Sequence, residues 1–305
     1  MRKALVTGGA GFVGSHLVDA LVKLGFKVLV IDNLSTGRRQ NVNPAAKFLK
    51  MDIRSDELAR VVKKFGPDYV FHTAAQINVR LSVEDAELDA DINLVGGLKL
   101  LEAARLAKVK KIVFSSSGGA IYGNARIIPT PETYAANPLS PYGVSKLSFE
   151  HYLHCYEHIY GLPYVSLRYA NVYGPRQLSS GEAGVVAVFA SQLLRGKQPI
   201  INGDGKQTRD YVYVHDIVRA NLLALKSIAR GVYNIGTGKE TSVNMIFKKI
   251  KIITGSAVAE KHGRAKAGEE RRSAILAKKA ARELGWQPRT SLDQGLKKTV
   301  AWFKL

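Results

Sequence analysis

Short apolar runs alternate with amphipathic stretches through the first half of the chain, and this alternation is its strongest structural signal. Residues 2–7 form one apolar run, and residues 28–31 form a second that ends in Asp32. Between them, residues 12–24 read as an amphipathic helix. A third strand is expected near residues 47–52, a helix over 56–65, and a fourth strand from Asp68 that runs into the small residues Thr73, Ala74 and Ala75. Leu88, Ile92, Val95, Leu98 and Leu101 recur at helical spacing and predict one long helix over 84–107. A fifth strand over 111–114 leads into Ser115-Ser116-Ser117-Gly118-Gly119, and a proline-rich loop precedes a further helix that starts near Tyr142. That helix is expected to bury Tyr152, Cys155, Tyr156 and Ile159. Strand–helix alternation defines an α/β, doubly wound parallel sheet, whose ligands belong at the carboxyl ends of its strands. The expected division is a lobe over 1–167 and a smaller one over 168–305, with some strand exchange and a cleft between them.

Composition narrows the class without changing this outline. At 305 residues and 46% hydrophobic, the chain can bury a sizeable core. No apolar run approaches the ~18 residues of a membrane span, and Met1-Arg2-Lys3 leads straight into Ala4-Leu5-Val6, so a soluble, untargeted cytoplasmic protein is expected. The single cysteine, Cys155, excludes an internal disulfide and a cysteine-built zinc site, and it fits a reducing cytoplasm. His151, His154 and His158 stand at helical spacing, but no carboxylate partner is identifiable and no metal is assigned. The net charge of +20 comes from basic residues dispersed in short pairs, with no recognisable nucleic-acid-binding motif. A basic cleft for a small anion is the better reading.

Candidate chemistry begins at Thr7-Gly8-Gly9-Ala10-Gly11-Phe12-Val13-Gly14. Glycines at 8, 11 and 14 leave the turn, the phosphate approach and the helix contact free of side chains, and the helix offers its first amides to a pyrophosphate. Asp32 follows at the end of the next strand, 18 residues past Gly14, where it can accept hydrogen bonds from an adenosine ribose. A carboxylate there repels a 2′-phosphate, so NAD is expected rather than NADP. Tyr142 and Lys146 stand four apart on one helix, which sets an ammonium beside a phenol. The expectation is a Tyr142 pKa lowered from about 10 towards neutrality, giving a general base.

Taken together, these motifs resemble the extended short-chain dehydrogenase/reductases, and within them the UDP-glucose 4-epimerases. The likeness includes Asp32-Asn33-Leu34-Ser35-Thr36-Gly37 and continues through Arg168-Tyr169-Ala170-Asn171-Val172-Tyr173-Gly174-Pro175-Arg176, Thr208-Arg209-Asp210-Tyr211, Asn234-Ile235-Gly236 and Leu284-Gly285-Trp286. It covers essentially the whole chain. The resemblance implies a Rossmann-type sheet with a smaller C-terminal substrate lobe, NAD as cofactor, and epimerisation of a UDP-hexose at C4 through a 4-keto sugar. It also implies NAD-binding positions at Gly8, Gly11, Phe12, Val13, Asp32, Asn33, Asp52, Ile53, Ala74, Ala75, Asn93, Tyr142, Lys146 and Tyr169. The catalytic set becomes Tyr142, Lys146 and Ser117, with Ser116 as the alternative serine. Related nucleotide-sugar dehydratases and decarboxylases place a carboxylate directly after the strand-five hydroxyl, where this chain has Gly118 and Gly119.

For the substrate, the resemblance implies Ser117, Asn171, Gly184, Val185, Val186 and Arg209, with Lys266 and Glu269 at positions where such enzymes usually carry Arg and Asp. Lys266 offers one ammonium in place of a bidentate guanidinium. Ser273 falls where a small residue leaves room for an N-acetyl group. In similar enzymes the helices over 84–107 and 145–160 pair with their symmetry mates, so a homodimer with a four-helix interface is expected.

Overall fold

The computed structural model describes residues 1–179, 184–265 and 270–304. Seven parallel strands form its central sheet: β1 (Lys3–Thr7), β2 (Lys27–Asp32), β3 (Lys47–Lys50), β4 (Tyr69–His72), β5 (Lys111–Ser117), β6 (Tyr164–Tyr169) and β7 (Gly231–Ile235). Their order across the sheet is β7-β6-β5-β4-β1-β2-β3. This is the expected Rossmann-type architecture. Chain order reverses between β1 and β4, which opens a crevice at their carboxyl ends. Thr7 is in register with both Ile31 and His72, so Gly8, Asp32 and Thr73 all emerge at that edge.

The strands are apolar on both faces because helices cover both. On one side, α1 (Phe12–Lys23) and α6 (Val214–Lys226) pack Leu17, Leu21, Ile217 and Ala220 against Val6, Val30 and Val165. On the other, α2 (Leu58–Phe65), α3 (Gly96–Leu106) and α4 (Pro141–Tyr160) bring Val62, Leu100, Phe149 and Leu153 onto Leu5, Val70 and Phe114. A third cluster joins α5 (Val185–Leu194), α7 (Val243–Thr254) and α8 (Leu292–Phe303) through Phe189, Phe247, Ile250 and Leu296. β7 comes from the C-terminal part of the chain yet completes the sheet beside β6.

Two local expectations need correction. The helix expected over 84–107 is interrupted: Val79–Glu84 and Ala86–Ala90 are short helices, Asp91–Val95 is a π turn, and α3 begins at Gly96. Asn93 explains the break, because its side chain bonds Gln76 and Asp89, and a π turn aims it inward. The side of α4 expected to be buried is exposed at Tyr152, Cys155 and Ile159. The core takes Ser145, Lys146, Phe149, Glu150 and Leu153 instead, so Tyr152, Cys155 and Ile159 share the outer surface with His151, His154 and His158.

Candidate active site

The glycine turn is built as tightly as its sequence implies. Gly8 has φ +71°, and a Cβ there would lie 2.6 Å from the Ala74 amide nitrogen. A Cβ at Gly14 would lie 2.2 Å from the Gly8 carbonyl oxygen, so only glycine lets α1 approach β1 this closely. Gly11 caps α1 without a side chain, leaving the amides of Phe12 and Val13 to face a phosphate. Asp32 is buried and accepts from the Ala10 amide at 2.9 Å and the Leu34 amide at 2.8 Å. A carboxylate has about four acceptor sites, so two remain for a ribose diol. These features fit a dinucleotide with an unphosphorylated ribose.

Beside this cradle, Asn33 donates to Asp52 at 2.9 Å, and Arg54 grips Asp52 through Nε and Nη2 at 2.9 Å each. Those Arg54 hydrogen bonds hold the Asp52 carboxyl well below its ordinary value. Ile53 is buried against Gly96. Asn93 accepts from the Gln76 amide at 2.8 Å and donates to Asp89, which accepts from Ser145 of α4 at 2.7 Å. This chain of bonds ties the β4 loop to the first turns of α4, and its Asp89 link was not foreseen from the sequence.

These turns carry Tyr142 and Lys146, the pair expected to act together. Ser140 caps α4 by accepting from the Gly143 amide at 3.2 Å, and Pro141 occupies the first helical position. A Cβ at Gly143 would lie 2.5 Å from the Ala120 carbonyl oxygen, so the helix start is pressed against the turn after β5. The pairing expected between Lys146 and Tyr142 takes a different form. The Lys146 ammonium donates to the Ser115 carbonyl at 3.0 Å, lies 4.7 Å from the Phe114 ring centre and is 5.8 Å from that of Tyr142. Burial lowers it to about 8.

Tyr142 is pushed up to about 12 rather than down. Burial is the main cause, a hydrogen bond with Ser117 opposes it, and the Asp89 charge adds to it. The expected lowering of this pKa by Lys146 is therefore not found: enclosing the phenol dominates, and the ammonium is directed to the Ser115 carbonyl instead. The serines separate by strand period. Ser117 bonds Tyr142, Ser115 lies 3.1 Å from the Tyr169 hydroxyl, and Ser116 Oγ, on the opposite face, is buried with no hydrogen-bond partner among the described residues. Tyr169 is buried and also accepts from Asn221 at 2.8 Å.

A cavity of about 440 Å³ adjoins this edge. Of the residues expected at the substrate, Asn171, Gly184, Val185, Val186 and Arg209 line it and Ser117 and Ser273 do not; Gly119, Ser140, Arg80, Tyr211 and Glu270 line it as well. Ser273 stands behind Glu270: its amide donates to the Thr208 carbonyl at 3.2 Å and its hydroxyl bonds the Glu270 carboxyl. Lys266 and Glu269 lie outside the described residues. Among the described residues, no group of three His, Cys, Asp or Glu side chains could hold a metal ion. No helix among them is long and apolar enough to cross a membrane.

Comparison with known proteins agrees with this geometry. Residues 4–236 match the model of the NAD dependent epimerase/dehydratase family, and the chain belongs to that family. A UDP-glucose 4-epimerase of Mycolicibacterium smegmatis is 44% identical over 308 residues, covering 99% of this chain and 98% of that protein. The crystal structure of the Thermotoga maritima UDP-glucose 4-epimerase with UDP-glucose superposes with a TM-score of 0.98 at 50% identity, covering 99% of each chain. That of the Thermus thermophilus UDP-glucose 4-epimerase with NAD gives 0.94 at 44% identity, again covering 99% of each.

Proposed function

We propose that this protein is an NAD-dependent UDP-glucose 4-epimerase that interconverts UDP-glucose and UDP-galactose through a 4-keto sugar. The observation that carries the reading is the Ser117–Tyr142 hydrogen bond, which lies two residues along the chain from Gly119 and Ser140 of the cavity lining, at the sheet edge that also holds the glycine turn. Bound NAD supplies reversible hydride acceptance from the sugar C4 and, when oxidised, a cationic ring that favours phenolate. Gly8, Gly11, Phe12, Val13 and Asp32 hold its phosphates and ribose, while Asn33, Asp52, Ile53, Ala74, Ala75, Asn93 and Tyr169 bound the rest of its site. Tyr142 takes the proton from O4, Ser117 hydrogen-bonds that oxygen, and Lys146 positions the nicotinamide-side ribose.

The lobe over 168–305 holds the nucleotide. Asn171, Gly184, Val185, Val186 and Arg209 contact the substrate, with Arg209 on the diphosphate. Lys266 and Glu269 complete that site in this reading. Acceptance of N-acetylated UDP-hexoses as well rests on the small size of Ser273, which does not itself line the cavity but bonds Glu270, which does. We also propose a two-fold homodimer, supported by exposed Val144, Tyr152 and Ile159 on α4 and Val95 beside it. The test is incubation of the purified protein with UDP-galactose: UDP-glucose should form without added cofactor. Stoichiometric NADH release with no epimer would identify a net oxidoreductase instead.

A further inference from the structure

Glu270 is the one carboxylate among the described residues lining the cavity, and the fold sets it beside Arg209. The Thr208 amide donates to the Arg271 carbonyl at 3.0 Å and the Ser273 amide donates to the Thr208 carbonyl at 3.2 Å. The backbone after Glu270 is thereby locked alongside the strand Thr208–Arg209. The neighbouring cations are committed elsewhere. Arg271 pairs with Asp204 at 2.6 Å, and Arg272 pairs with Glu240 at 2.6 Å. Arg80 and Tyr211 line the same cavity, and the Ser273 hydroxyl bonds the Glu270 carboxyl from behind. Among the described residues, Arg209 is the charge that acts on Glu270.

We infer that Glu270 is a proton-coupled counter-ion to the substrate diphosphate: ionised, it competes with the diphosphate for Arg209, and it takes up a proton when the diphosphate binds. This rests on the proposed UDP-hexose reading of the cavity. Burial raises the Glu270 carboxyl to about 7, against the opposing pull of Arg209 and Ser273. An arriving diphosphate adds two negative charges and raises it further. Linkage then requires proton uptake on binding, with affinity falling as pH rises above about 7, by at most tenfold per pH unit for one proton. The UDP-glucose diphosphate is a diester with no group titrating near neutrality, so the slope belongs to the protein. Epimerisation to an equilibrium mixture leaves the ligand charge unchanged.

The experiment is calorimetry of UDP-glucose binding to the NAD-loaded protein, from about pH 6.5 to about pH 8.5, in two buffers of different ionisation enthalpy. Wild type should take up most of one proton near pH 8 and weaken about tenfold to twenty-five-fold across the range. Glu270→Gln should lose most of the uptake and of this slope, and should bind more tightly than wild type at the alkaline end. A merely structural role would instead weaken binding equally at every pH. Lys146 also titrates near pH 8, but its contribution survives in Glu270→Gln and is subtracted by that comparison. Absence of uptake in wild type, or equal uptake in the variant, overturns the inference. Absence of uptake in wild type overturns it even if the variant does not fold. Binding without proton uptake overturns this inference alone, whereas failure of UDP-glucose to bind at any pH overturns the proposed function with it.

Discussion

Replacing Glu150 with Ala should destabilise the protein through the Arg168 charge it leaves behind. Arg168 donates to Glu150 through Nε at 3.1 Å and Nη2 at 2.6 Å, and both side chains are at most 8% exposed. Glu150 also accepts from Ser166 at 2.9 Å, and Arg168 Nη1 donates to Tyr122 at 2.9 Å. Removing the carboxylate therefore strands a buried guanidinium with a phenol as its remaining partner, a change that costs about 3–5 kcal/mol. Unfolding entropy of about 2.1 cal/mol/K per residue over 305 residues is about 0.64 kcal/mol/K, so the midpoint should fall by about 5–8 °C. Calorimetry of Glu150→Ala checks this. The double variant Glu150→Leu with Arg168→Met should recover most of the loss, because it removes both charges and keeps the volume. A fall below about 1 °C in the single variant would refute the claim that this pair is desolvated. Glu150 lies one turn beyond Lys146 on α4, so slower epimerisation should accompany the lower midpoint.

Three further outcomes follow from the same structure. Tyr142→Phe should lower kcat by about 10²–10⁴ with the unfolding midpoint unchanged or raised, since the buried hydroxyl is lost and the ring remains. Stability should fall as pH drops from about 6.5 towards about 4, because burial holds His72 down to about 3 and His16 down to about 4 while the unfolded chain takes up those protons near 6.5. Thermal midpoints across that range should show the fall, and His72→Phe should flatten it whatever offset the lost Thr7 bond adds. Ile159→Glu, at a residue 59% exposed on α4, should shift sedimentation at micromolar protein from dimer to monomer without lowering the midpoint of the isolated chain.

The parts legible in sequence are those set by local backbone demands. Gly8 needs a positive φ, Gly14 a missing side chain, Asp32 the end of a strand, and Ser140-Pro141 a helix start, and each of these is readable from its neighbours. What escaped depends on packing between distant segments. The break at Asn93 needs Gln76, 17 residues away, to draw the side chain inward. On α4 the apolar residues surround the helix, so periodicity could not say that Phe149 and Leu153 face the sheet while Tyr152 and Ile159 face out. The raised Tyr142 pKa has the same origin: spacing placed a lysine nearby, but enclosure by neighbouring elements decided the sign. Glu270 offered only an unusual pair of acids in the sequence, and its setting beside Arg209 comes from the bridge between residues 208 and 272.

The central claim is that hydrogen leaves the sugar C4 as hydride and returns to the same carbon while Tyr142 handles only the O4 proton. UDP-glucose carrying deuterium at C4, incubated with the protein in ordinary water and read by mass spectrometry and proton NMR, tests this directly. The UDP-galactose formed should keep the deuterium at C4 through many turnovers. Progressive replacement of that deuterium by solvent hydrogen would contradict it.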